Sequence, residues 1–421
     1  MKMGIKIEID SYLRNILSLL TGTGVAQIIP ILFSPILTRI FSPKEFGLFA
    51  FFFSISSILN IAAAGRLELA ILIPKENKDS LMVLKTSIFF SITFSLIIFI
   101  SLLLFYDQIK FLLIDDFNIL YLFFIPVNTL IYGFYQSLNY WLNRKKEFKR
   151  LSINRVLQSV FTISFQLILG LGIINSALSL IIGSLFAQFI TLLFLIKYFL
   201  EKEKSIIRLK FNDFFKIINR YKSFPLVDVP TMLLNVGANH IPNIFFNILN
   251  SANIAGNYYF TQRILQVPVT LISGSVLDVF KEEASKRYRE SGECKKIFLR
   301  TAKLLFFLTA VPSILLFFYV ENIFVFIFGE EWRIAGFFAK ILIPSLALRF
   351  VANPLSYMIY IGQKQKINFL LMLFLFLSVL IIFYLFKDFN VIIKLISFVY
   401  CIYYLLNLFI SALIAKVFQF I

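Results

Sequence analysis

The chain is poor in the residues from which most protein chemistry is built. Of 421 residues, one is histidine, His240, and two are cysteine, Cys294 and Cys401. That excludes a disulfide framework, a cysteine-based zinc site and a histidine-rich metal centre. A Ser-His-Asp grouping would have to be built on His240, which lies in an apolar stretch with no motif around it. Charge is scarce as well. Asp, Glu, Lys and Arg make up 15% of the chain and hydrophobic residues 59%, against about 25% and about 45–50% in a soluble protein. Water is therefore not the main solvent of this chain. Acidic residues are the scarcer sign, 23 against 41 Lys+Arg, for a formal charge of +18. In a soluble protein that balance points to nucleic acid or another polyanion; here its meaning depends on where the cations fall.

A membrane helix needs roughly 20 largely apolar residues. Twelve stretches qualify, near 16–37, 45–65, 81–105, 119–140, 152–174, 177–199, 224–249, 253–279, 299–320, 335–361, 367–386 and 391–416. Asn128 and Gln136 interrupt the fourth, Gln262 and Arg263 the eighth. No small-residue cleavage site follows the first, so it reads as a retained span and not a removable signal peptide. The segments between spans are alternately basic. The basic side holds 32 of the 41 Lys+Arg, the other side 7, and Arg263 and Arg349 lie inside spans. The positive-inside rule then places both termini in the cytoplasm, and the cations record orientation, with no nucleic acid as partner. The outer loops, such as 173–179 and 250–255, are too short to hold a folded catalytic or receptor domain.

The longest basic segments are 197–222 and 281–303, with eight Lys+Arg each. In 205–222, Ile207, Phe211, Phe214, Ile218 and Tyr221 recur at helical spacing, with Arg208, Asp213, Lys216 and Arg220 opposite. This is an amphipathic helix, either lying on an anionic inner leaflet or serving as a solvated connector. It divides the chain into an N-terminal six-helix bundle (1–200), a cytoplasmic linker (201–222) and a C-terminal six-helix bundle (223–421).

The halves carry a trace of self-similarity. At an offset of 212 residues, Ile29-Pro-Ile-Leu-Phe-Ser-Pro-Ile-Leu37 aligns with Ile241-Pro-Asn-Ile-Phe-Phe-Asn-Ile-Leu249, with five identities. After a loop three residues shorter, Phe46-Gly-Leu-Phe49 meets Ala255-Gly-Asn-Tyr258. Six spans per half is an even number, so the halves share one orientation. A pseudo-twofold axis along the membrane normal and a central cavity follow, the plan of transporters that alternate access. Ten prolines fall inside spans: Pro30, Pro35, Pro126, Pro225, Pro230, Pro242, Pro268, Pro312, Pro344 and Pro354. They either mark bends or reflect the general tolerance of membrane helices for proline.

Ionisable groups at membrane depth are expensive and face a cavity or a partner. Arg263 falls about 15 Å into the eighth span and Arg349 about 21 Å into the tenth. Either they supply permanent positive charge suited to phosphate, or each pairs with a carboxylate or caps carbonyls for packing. Asp228, near the inner start of the seventh span, is an ion or proton site or the partner of an arginine. His240, farther along that span, is a packing residue or a proton carrier. Arg66 and Glu68 flank the second span as an interface pair or a cavity rim, and Arg39 ends the first. Gly22-Thr23-Gly24 lies in a hydrophobic helix with no preceding strand, so it is no phosphate-binding loop.

Several runs resemble a known family. They are Thr21-Gly-Thr-Gly-Val-Ala-Gln27, Ser34-Pro-Ile-Leu-Thr-Arg39, Ser42-Pro-Lys-Glu-Phe-Gly47 and Arg66-Leu-Glu-Leu-Ala-Ile71. In the second half they are Phe224-Pro-Leu226, Leu234-Asn235, Gln262-Arg263, Pro268, Phe328-Gly-Glu-Glu-Trp332, Ala335-Gly336 and Arg349-Phe-Val-Ala-Asn-Pro-Leu355. Together they are similar to bacterial polysaccharide and O-antigen flippases of the Wzx type, in the multidrug/oligosaccharidyl-lipid/polysaccharide (MOP) transporter superfamily. The match runs from about 20 to 365; the last two spans match only in hydropathy. The resemblance implies an all-α fold of twelve transmembrane helices in two bundles, in the bacterial inner membrane. It implies transfer of an undecaprenyl-diphosphate-linked oligosaccharide between leaflets, without covalent chemistry or a bound cofactor, and coupling to H+ or Na+. Arg39, Arg66, Arg263 and Arg349 match the family's recurring arginines, and a polysaccharide polymerase and chain-length regulator are the implied partners. Two alternatives stand beside it: a multidrug extruder of the same superfamily, and a membrane-bound polysaccharide polymerase or ligase.

Overall fold

The computed structural model describes residues 22–112, 117–172, 176–203 and 211–417. Fourteen principal helices are numbered here in chain order: α1 Gly22–Ile40, α2 Pro43–Asn60, α3 Asn77–Leu104, α4 Phe124–Arg144, α5 Phe148–Gly172, α6 Ala177–Lys202, α7 Phe211–Arg220, α8 Val229–Leu249, α9 Ala252–Pro268, α10 Gly274–Ser291, α11 Lys295–Phe328, α12 Arg333–Leu355, α13 Gln365–Leu385 and α14 Phe389–Ile414. No strand occurs among the described residues. Ten helical stretches are long and apolar enough to cross a membrane. The second and seventh expected spans also form helices, α2 and α8, but fall outside that set. Lys44 and Glu45 open α2, while Asn235, Asn239, His240 and Asn243 dilute α8. The start of the first expected span lies outside the described residues.

Several helices outrun their apolar stretches. The eighth span continues through α10 to Ser291 and the ninth fills Lys295–Phe328. Lys, Arg and Glu are good helix formers, so the helix persists where hydropathy stops. Breaks fall at prolines. Pro35 has no N–H to return to Ile31, whose carbonyl instead accepts the Ser34 hydroxyl at 2.6 Å, and α1 is interrupted at Phe33. Single π-helical turns follow Pro268 (Val269–Ser273) and surround Pro225 (Phe224–Asp228), the usual accommodation of a lost ladder bond.

The described residues form two compact units, one within 1–41 and 48–240, the other within 42–47 and 241–421. The division falls inside α8, not at the 201–222 linker. Residues 204–210 of that linker lie outside the described set, but α7 belongs to the first unit. Phe214 packs edge-on against Phe89 of α3 at 4.5 Å, and Ile217 and Tyr221 are buried. The protein therefore covers much of the apolar side expected to meet lipid or solvent, leaving Phe215 55% exposed.

The core of the first unit gathers Leu67, Leu84, Leu138, Trp141, Leu192 and Tyr221. Where α3 crosses α4 the interface is small and polar. The Ser87 and Ser137 hydroxyls are 2.8 Å apart, Ser137 donates to the Gly133 carbonyl, and a Cβ on Gly133 would lie 2.3 Å from the Ser91 hydroxyl. Such residues hold membrane helices together where lipid removes the hydrophobic drive.

In the second unit, Phe46, Phe260, Phe328 and Trp332 form one aromatic cluster. Beside it the repeat acquires a physical counterpart. Ser42 and Glu45 form a capping box at the start of α2, and Ser251 caps α9 through the Ile254 N–H. Gly47 and Gly256 follow these caps, and their contacts are reciprocal. A Cβ on Gly47 would sit 1.7 Å from the Ala252 carbonyl oxygen, and one on Gly256 would sit 1.8 Å from that of Pro43. The segments meet backbone to backbone, each using the same positions, as elements related by a local twofold axis do. Both must be glycine because no side chain fits.

Candidate functional site

In the first unit, polar groups converge where α2 ends. The chain unwinds through residues 61–66, and Gly65 and Arg66 both take left-handed backbone, with φ of 60° and 59°. For arginine this conformation is strained and has to be held by its surroundings. It points the guanidinium at Asp228, in the π-helical turn before α8: Arg66 Nε donates to Asp228 Oδ2 at 2.7 Å. Glu68, in the short helix Leu67–Ala70, is the more distant partner at 3.9 Å. Glu68 is 6% exposed and its Oε2 has no hydrogen-bond partner. Burial raises its pKa from 4.5 to about 7, opposed by its own backbone N–H and by Arg66. Tyr132 and Tyr140 of α4 complete the electrostatic surroundings of Arg66 and Glu68. Arg155 of α5 also acts on Tyr140 and donates to the Thr23 hydroxyl at 2.8 Å.

Arg66 and Asp228 are thus brought together across 162 residues of sequence. Arg39 is exposed in the last turn of α1, where a cation complements the helix dipole; no hydrogen bond or ion pair joins it to Arg66. His240 Nδ1 lies 3.3 Å from the Ser54 hydroxyl, with its ring 5.8 Å from that of Phe53.

The second unit holds the other two arginines. Arg263 hydrogen-bonds the Tyr259 side chain one turn earlier on α9. Arg349 of α12 acts electrostatically on Tyr258 of α9 and on Tyr400, Tyr403 and Tyr404 of α14. The Gln262 amide donates to the Tyr258 hydroxyl at 2.5 Å. Among the described residues neither arginine forms an ion pair with a carboxylate. Their neighbours are phenols, which solvate a cation without neutralising it. Sequence reasoning missed these tyrosines, although Tyr400, Tyr403 and Tyr404 recur at the spacing of one helix face.

The fold has solved counterparts. Solved structures sharing it include a multidrug resistance MATE family transporter of the MOP superfamily in its inward-facing conformation, at TM-score 0.70 and 14% identity over 95% of both chains. The lipid II flippase MurJ, inward closed, superposes at TM-score 0.71 and 15% identity, over 94% of this chain and 87% of that one. A MOP superfamily transporter from Pyrococcus furiosus, noted for a binding pocket of reversed polarity, matches at TM-score 0.64 and 14% identity over 96% of both. The chain shares the fold of these MOP superfamily transporters, and its ten long apolar helical stretches make it a multi-pass membrane protein. A family model described as "Polysaccharide biosynthesis protein" matches residues 36–335, and the chain belongs to that family. No curated protein matches the sequence.

Proposed function

We propose that the protein is a flippase that moves an undecaprenyl-diphosphate-linked oligosaccharide from the inner to the outer leaflet of the bacterial cytoplasmic membrane by alternating access, for export of O-antigen, capsule or exopolysaccharide. The observation that carries this reading is the state of Arg263 and Arg349. Two permanent cations stand within apolar helices with no carboxylate among the described residues paired to them, in a member of a polysaccharide-biosynthesis family. A diphosphate cannot cross hydrocarbon without its water, and arginine offers it forked donors and a charge that does not titrate. Membership of the same superfamily is equally compatible with multidrug extrusion. Cationic drugs, however, would be met by acidic groups, and the mid-span charges here are mostly arginines.

Both termini are cytoplasmic in this reading, as the 32 to 7 distribution of Lys+Arg requires. Coupling to H+ or Na+ belongs to the same proposal. Asp228, engaged with Arg66, and His240 remain its candidate sites, and Glu68 joins them because its carboxyl titrates near neutrality beside Arg66. The polymerase and chain-length regulator are partners in this proposal only.

A deletion strain separates the readings. Loss of a flippase leaves single lipid-linked repeat units on the cytoplasmic face and no polymer. Loss of a polymerase or ligase leaves translocated units of normal orientation, and that outcome would overturn the proposal. Loss of a drug extruder alters neither.

A further inference from the structure

The helices α10 and α11 of the second unit run antiparallel from the turn at 292–294, and between them lies a groove of about 420 Å³. Phe280 forms its buried floor, while Val279 and Leu304, 61% and 52% exposed, form apolar walls. One helical turn closer to the connection lie Glu283 on α10 and Arg300 on α11, both exposed. They carry opposite charges into one groove, yet no hydrogen bond or ion pair joins them to each other or to another described residue. The groove thus presents a free guanidinium and a free carboxylate at one end and hydrocarbon at the other.

Beyond Leu304 the same face of α11 continues outward as Leu308, Val311 and Leu315, which are 48%, 61% and 56% exposed. The run from Leu304 to Leu315 is about 16 Å at 1.5 Å per residue, half of a ~30 Å hydrocarbon core. The polar end lies within 281–303, which carries eight Lys+Arg and so sits at headgroup level on the basic side of the membrane.

We propose that this groove binds a zwitterionic phospholipid with a primary ammonium, of the phosphatidylethanolamine class. Its phosphate meets Arg300, its ammonium donates to Glu283, and one acyl chain follows the Leu304–Leu315 strip. The lipid bridges α10 and α11 as a resident ligand and is not the transported species, so the site stands whatever the protein carries. Charge complementarity selects the class. A purely anionic headgroup satisfies Arg300 but leaves its surplus charge against Glu283. A quaternary ammonium has no N–H to donate to the carboxylate.

The test is native mass spectrometry of the full chain, released from detergent micelles supplied with phosphatidylethanolamine, phosphatidylglycerol or phosphatidylcholine of the same acyl chains. Wild type should retain phosphatidylethanolamine about tenfold more than either other lipid, the worth of one charge-assisted hydrogen bond. Glu283→Gln should abolish that preference, Arg300→Gln should lower retention of all three, and Lys286→Gln should change nothing. The two groove residues are exposed, so each variant should keep the wild-type thermal midpoint in lipid-free detergent while losing the upward shift that phosphatidylethanolamine gives wild type. Equal retention of the three lipids by wild type overturns the proposal. So does a preference for phosphatidylglycerol, which would mark only a basic surface, or a phosphatidylethanolamine preference that survives Glu283→Gln.

Discussion

Glu68 should make a contribution to stability that is lost as pH rises from about 4.5 to about 7. Its carboxyl is 6% exposed, one oxygen has no partner, and the Arg66 guanidinium stands 3.9 Å away. At that distance, with Asp228 holding Arg66 at 2.7 Å, the cation does not cancel the cost of burial, and the pKa moves from 4.5 to about 7. The folded state therefore keeps a proton that the unfolded chain has already released. The contribution is fully present below the unfolded value and is lost as pH climbs through the folded one. Each unit is worth about 1.4 kcal/mol, so the interval from 4.5 to about 7 amounts to about 3 kcal/mol. Glu68→Gln keeps the shape and removes the titration. Unfolding of purified protein in mild detergent, followed at several pH values across this window, should show the stability of wild type relative to the variant falling by about that amount in total. Above pH 7 the two slopes should coincide. Equal slopes for wild type and Glu68→Gln through the window would show that Glu68 does not hold its proton in the folded state.

Three further outcomes follow from the geometry. Gly47→Ala and Gly256→Ala each place a Cβ within 2 Å of a carbonyl oxygen, so either should lower the thermal midpoint by the equivalent of about 1–3 kcal/mol or more. Gly274→Ala, with nothing within 4 Å of the new methyl, should be neutral or stabilising by about 0.5–1 kcal/mol. Arg66→Ala and Asp228→Asn should show a coupling of about 1 kcal/mol in a double-mutant cycle, reduced by the 38% exposure of the Asp228 side chain. Arg349→Ala should reduce leaflet transfer of a lipid-linked sugar while leaving expression and detergent stability close to wild type, because Arg349 has no ion-pair partner among the described residues. Arg349→Lys should recover only part of the transfer, since lysine lacks the forked geometry.

Much of the fold is legible in the sequence because the bilayer dictates it. Long apolar runs become helices, and prolines such as Pro35 and Pro268 mark where those helices are interrupted. Helix ends are less legible. Hydropathy stops near 279 in the eighth span and 299 in the ninth, but Lys, Arg and Glu carry α10 and α11 well beyond. The linker helix was readable as amphipathic from Phe214 and Tyr221, but periodicity alone does not say whether lipid, water or protein covers it; Phe89 does. Within each unit, the candidate residues Arg66 and Asp228, and Arg263 and Arg349, stand out as charges in apolar surroundings. Their partners do not. The Arg66–Asp228 bond spans 162 residues and depends on a left-handed arginine that no periodicity announces. Three of the four phenols around Arg349, Tyr400, Tyr403 and Tyr404, lie in a span that matched the flippase family only in hydropathy. The alignment of Gly47 with Gly256 was visible, but the backbone contact that makes both glycines necessary was not.

Leaflet transfer can be followed by reconstituting the purified protein in vesicles with a fluorescent undecaprenyl-diphosphate oligosaccharide and quenching the outer leaflet with a membrane-impermeant reductant. Without transfer, fluorescence should fall by about half, as only the outer leaflet is reached. With wild-type protein it should fall further as inner-leaflet molecules emerge, and Arg263→Ala and Arg349→Ala should slow that second phase. A wild-type trace that stops at the same level as protein-free vesicles, with an imposed pH or Na+ gradient present, would contradict the account.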